Sequence, residues 1–113
     1  MSKRDIKIIL KDILKEIDNI SKFTEGINYE NFVSDEMRYY ATIRCLELIG
    51  ESVRQLSEQF KEANPEIEWR KIVDLRNILI HEYFEIEPEI IWDVIKNEIP
   101  NLKYFILVYL DKN

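Results

Sequence analysis

Leu75-Arg76-Asn77-Ile78-Leu79-Ile80-His81-Glu82-Tyr83-Phe84 is the stretch on which the reading of this chain turns. It places an arginine five residues before the only histidine, and that histidine two before a tyrosine. Apolar residues at Trp69, Ile72, Val73, Leu79 and Ile80 recur close to the helical period, which predicts an amphipathic helix from about Glu66 to His81 or Glu82. Arg76 falls inside that apolar arc. A guanidinium keeps its charge at neutral pH and is costly to bury without an anionic partner, so something must satisfy it. At roughly 100° per residue, His81 lies about 140° around the helix from Arg76, on a second face with Asn77 and Asp74. One helix therefore does not aim both groups inward. Two copies facing each other would bring arginine and histidine from both chains into one cleft, which points to a homodimer with a composite site.

Working outward, the 113 residues fit one domain, 1–113, with a single core. Two glycines and three prolines leave little turn chemistry for a sheet protein. Ile, Leu, Lys and Glu at helical spacing, within 46% hydrophobic and 34% charged residues, place the chain in the all-α class. The expected architecture is a compact up-and-down bundle of four to five helices. No stretch reaches the roughly 18 uninterrupted apolar residues of a membrane span, and the amphipathic start does not read as a signal peptide. A lone Cys45 on an apolar helix face cannot form an internal disulfide, so a reducing cytoplasm is the expected location. The net charge of -6 counts against a protein that coats itself in nucleic acid, while leaving room for a confined basic cleft.

The first helix is predicted from about Lys3 to Ser21, with Ile6, Ile9, Leu10, Ile13, Leu14, Ile17 and Ile20 on one stripe. Asn28–Phe32 reads as a short helical turn, with Ser34 as N-cap of the second helix. That second helix is predicted to be long, from Asp35 to about Ala63, burying Cys45, Ile49, Val53, Leu56 and Phe60. Gly50 inside it is best tolerated if a neighbouring backbone passes close by. On its other face, Glu47 and Glu51 are candidates to meet Arg76, or they pair within their own helix through Arg44 and Arg54. Pro65 is expected at the start of the motif helix and Pro88 at the start of a fourth. Pro100 then either kinks that helix or separates a fifth.

In this setting, Arg76-Asn77-x-x-x-His81-x-Tyr83 resembles the signature of the HEPN superfamily. The chain is more specifically similar to the HepT-like toxins, small helical partners of nucleotidyltransferase antitoxins. Arg4-Asp5, Leu46-Glu47-Leu48-Ile49-Gly50-Glu51, Pro65–Arg70 and Ile90-Ile91-Trp92 carry the likeness across nearly the whole chain. The resemblance implies a HEPN-like helical fold and a toxin that cleaves RNA without a metal or other cofactor. It also implies that the nucleotidyltransferase antitoxin silences the toxin by transferring AMP to a tyrosine, here Tyr83.

Cleavage of that kind needs a proton acceptor for the ribose 2'-hydroxyl, a donor to the leaving oxygen, and a cation for the phosphorane. His81 suits the proton transfers, Arg76 the charge, and Asn77 the orientation of the ring or the phosphate. Each residue alone also has a plainer reading: a helix-capping histidine, half of a buried ion pair, an aromatic pair Tyr83-Phe84 in the core. Zinc spacing and a glycine-rich phosphate loop are missing. The competing reading is a non-catalytic helical binding module that partners a nucleotidyltransferase.

Overall fold

The computed structural model describes residues 5–82 and 86–113, with Glu82 described by its backbone alone. Its elements are α1 (Ile6–Thr24), α2 (Tyr29–Ser34), α3 (Glu36–Gln55), α4 (Glu58–Ala63), α5 (Trp69–Glu82), α6 (Pro88–Asp93), a π turn (Val94–Glu98) and α7 (Ile99–Lys112). No strand occurs among the described residues. The all-α class read from composition is therefore the class observed, and it agrees with the HEPN-like helical fold that the resemblance implies.

Polar side chains set the helix starts by accepting backbone N–H groups that have no partner within the helix. Asp5, Asn28, Asp35 and Ser57 do so at α1, α2, α3 and α4. Most of the predicted stripe of α1 is core, with Ile9, Leu10, Ile13, Ile17 and Ile20 almost fully buried, while Ile6 and Leu14 pack against it only partly buried. Helix α3 is central, packing against α1 on one side and α5 on the other. That is why its buried residues, from Thr42 to Val53, spread over a wide arc. Two aromatic groups close the ends: Phe60, Trp69, Phe105 and Tyr109 tie α4 to α5 and α7, while Tyr29, Phe32, Tyr39 and Trp92 tie α2 to α3 and α6.

Several predicted boundaries are corrected. The long second helix does not reach Ala63: it stops at Gln55, because Leu56 turns extended and Ser57 Oγ accepts from Phe60 N to start α4. The break lets Leu56 and Phe60 both reach the core. Asp35, not Ser34, caps α3, and Ser34 closes α2. The motif helix begins at Trp69 rather than Glu66, with Pro65 in the preceding turn and Trp69 Nε1 donating to Asn64 O at 2.9 Å. Helix α1 runs on to Thr24, and its predicted start at Lys3 lies outside the described residues.

Pro100 does not separate a fifth helix from the fourth. The backbone stays right-handed helical at Asp93, Val94, Glu98 and Ile99, so α6, the π turn and α7 run on as one. Ile99 N–H bonds Val94 O, five residues back, and this wide turn lies where the proline ring would crowd an ordinary α-helix. Among the described residues, the question of four helices or five resolves to four long helical runs with two short ones, α2 and α4, between them.

Candidate functional site in the seam between α3 and α5

Arg76 of α5 packs directly against Gly50 of α3. A Cβ built on Gly50 would stand 2.3 Å from Arg76 Cβ, 2.8 Å from its Cγ and 3.3 Å from Ile72 O. Any side chain at position 50 would therefore collide with the arginine stem. The sequence predicts a neighbouring backbone at this glycine; the structure places chiefly a side-chain stem there, with the Ile72 carbonyl behind it.

Past Gly50, the guanidinium of Arg76 meets two partners. Its Nη2 is 2.7 Å from Glu51 Oε2, and its Nη1 donates to Asn77 Oδ1 at 2.8 Å. Arg54 Nη1 approaches the same Glu51 oxygen at 3.7 Å, so one carboxylate serves two cations. The Arg76 side chain is 18% exposed and that of Glu51 47%, which places the pair at the lip of the seam. Although Arg76 and Glu51 are close enough to be an ion pair, the contact lacks hydrogen-bond geometry. Glu51 Oε2 and Arg76 Nε are both buried with no hydrogen-bond partner among the described residues.

The energetics argue against a purely stabilising role. A half-exposed ion pair contributes about 0–1 kcal/mol, whereas burying Arg76 Nε without a hydrogen bond costs about 1–3 kcal/mol. What the arrangement provides is a cation held in place at the surface of the bundle.

The other predicted residues divide between seam and surface. Asn77 is exposed and orients the guanidinium, being its neighbour on α5. His81 is exposed in the last turn of α5 and is not among the contacts of Arg76. Five residues of helix separate the two by about 7.5 Å along the axis as well as by rotation. Glu47 does not meet Arg76: it pairs with Arg44 at 3.1 Å, one turn back on its own helix. Thus the in-helix reading holds for Glu47, whereas Glu51 meets both Arg76 across the seam and Arg54 within its own helix. Ile80, read as part of the buried arc, is 41% exposed beside the site, because the seam closes around Leu79 instead. Tyr83 lies outside the described residues.

Sequence reasoning did not assign Gly50 or Arg54 to the site. The signal for Gly50 was present, a glycine within a helix immediately before a carboxylate. That for Arg54 was the three-residue spacing from Glu51. Among the described residues no cluster of His, Cys, Asp and Glu is arranged to hold a metal ion.

A family profile described as ribonuclease HepT-like matches residues 13–108, which include the α3–α5 seam and the whole motif. The chain belongs to the HepT-like ribonuclease family. A protein of Methanocaldococcus jannaschii named as a putative RNase is 44% identical over 103 residues, covering 91% of this chain and 94% of that protein. A probable ribonuclease HepT of Thermococcus cleftensis is 41% identical over 101 residues, covering 89% and 92%. No solved structure matches the chain. The resemblance drawn from the motif is thus the family observed, and RNA cleavage is the activity its description carries. No helix among the described residues is long and apolar enough to cross a membrane.

Proposed function

We propose that this HepT-like ribonuclease is a toxin that cleaves RNA without a metal, at a composite site formed by two copies of the chain. The observation that carries the reading is the guanidinium of Arg76, held at the lip of the seam by Glu51 and Asn77, with His81 exposed on the adjoining face. In the reaction, His81 of one protomer takes the proton of a ribose 2'-hydroxyl, whose oxygen attacks the adjacent phosphorus. The bond to the 5'-oxygen breaks, and that oxygen receives a proton from the other protomer's histidine. The products are a 2',3'-cyclic phosphate and a 5'-hydroxyl. Arg76 balances the charge that builds on the phosphorane oxygens. The separation of Arg76 and His81 around α5 supports the two-chain site, since each protomer turns one group into the seam and one outward.

Tyr83, two residues beyond His81, is the proposed acceptor of AMP from a nucleotidyltransferase antitoxin in the cytoplasm. A phosphodiester there would set a negative charge and a nucleotide beside the cleft. That would close the site to RNA.

The test is cleavage of a mixed RNA substrate in EDTA by the native protein, Arg76→Ala and His81→Ala, with dimer size and helicity checked for each. Loss of at least about 100-fold in both variants, with EDTA harmless to the native protein, is the expected result. Equal background cleavage by all three folded proteins would overturn it and leave a helical binding module.

A further inference from the structure

Gly50 carries two costs that meet at one contact. Glycine is among the least favourable residues inside a helix, and it sits here in the middle of α3. Opposite it stands an arginine whose Nε is buried without a hydrogen-bond partner among the described residues. Were the close approach only a matter of packing, a small apolar residue at position 76 would give the same spacing without that orphaned donor. The pairing has a purpose only if the guanidinium must emerge at this place.

We propose that Gly50 is a positioning residue for Arg76: it sets the spacing of α3 and α5 that delivers the guanidinium to Glu51 and, on the ribonuclease reading above, to the scissile phosphate. The neighbouring residue in sequence, Glu51, completes the device. Gly50 lets the stem of Arg76 lie against α3, and the carboxylate one residue on receives its end at 2.7 Å. A methyl group at position 50 would fall 2.3 Å from Arg76 Cβ, a separation that carbon atoms do not adopt, and the Cβ moves only with its helix. The two helices would have to part, carrying the guanidinium away from Glu51. Misplacement of a catalytic group by about 1 Å can lower a rate by about 100-fold.

The experiment compares steady-state RNA cleavage by native protein, Gly50→Ala and Val53→Ala, together with melting temperatures. Val53 is a buried α3 residue and serves as the control for a loosened core. Gly50→Ala is expected to lose about 10–100-fold in kcat with KM changed less than about twofold, while Val53→Ala, similarly less heat-stable, keeps its kcat within about twofold. A kcat for Gly50→Ala within about twofold of native, or an equal loss in Val53→Ala, would overturn the proposal.

A second measurement serves even if Gly50→Ala folds poorly. In an Arg76→Gly background the opposing Cβ and Cγ are gone and only the Ile72 carbonyl at 3.3 Å remains, so Gly50→Ala should lower the melting temperature markedly less there than in the native background. The same decrease in both backgrounds would overturn the contact. If Arg76→Gly itself cleaves RNA at the native rate, the ribonuclease role of Arg76 fails, and the melting cycle still decides the role of Gly50.

Discussion

The two sides of α3 are built on different terms. Towards α1 the seam is close-packed hydrocarbon: Ile9, Leu10, Ile13, Ile17 and Ile20 are almost fully buried, and the buried Thr24 returns its hydroxyl to Ile20 O at 2.7 Å. Towards α5 the same helix accepts a glycine, an arginine stem and two polar atoms without hydrogen bonds among the described residues. One seam holds the bundle together; the other carries a charge to its surface. Damage to the first should therefore appear as lost stability, and damage to the second as lost activity.

The sharpest break between them is Arg76→Lys. Lysine keeps the charge and most of the stem, but it loses the planar fork that reaches Glu51 and Asn77 together. Cleavage should fall by about 100- to 1000-fold, as for loss of one oriented donor to a transition-state oxyanion. The melting temperature should move little, because the stem still fills the notch at Gly50. A lysine variant with native kcat would mean that Arg76 acts only as a diffuse charge.

Ile13→Ala is the converse. Ile13 is fully buried in the α1 stripe, and truncation of such a side chain costs about 2–5 kcal/mol. Urea titration should show that loss. Below the transition the folded fraction should keep native kcat, and a proportionate fall in kcat would show that the two seams are coupled through α3.

The same contrast explains what was legible in the sequence. The α1 seam could be read almost residue by residue, since a stripe of isoleucines at helical spacing has only one stable use. The charge of Arg76 in an apolar arc called for a carboxylate, and Glu51 answered. What could not be read was geometry set by the partner element. Nothing in the spacing of Glu47 and Glu51 says which of two carboxylates, one turn apart, faces α5. The break at Leu56-Ser57 was hidden because Leu56 and Phe60 keep a helical spacing across it, although Ser57 is a good cap. Pro100 looked like a boundary until the π turn ahead of it made room for the ring. The motif named the candidate site residues, while their division between seam and surface came from the packing of α5 on α3.

Cys45 tests whether the hydrocarbon seam is as closed as its packing implies. Burial, followed by a hydrogen bond and the negative charge of Glu16 on α1, pushes its thiol up from 9.0 to about 12. The thiolate therefore forms only in the unfolded chain between those values. Below pH 9 both states keep the proton and the group adds no pH dependence. As pH rises from 9 towards 12 the unfolded state releases the proton first, so stability linked to this group falls. Other groups titrate in the same range, but they are shared with Cys45→Ala and cancel in the comparison. The stability of native protein relative to Cys45→Ala, from urea midpoints at successive pH values, should be constant below pH 9 and decline above it. Native Cys45 should also react slowly with a thiol reagent at about pH 8, at a rate set by opening of the bundle. Rapid labelling with no alkaline decline would mean that α1 leaves α3 readily, and the contrast between a closed seam and a working one would fail on the closed side.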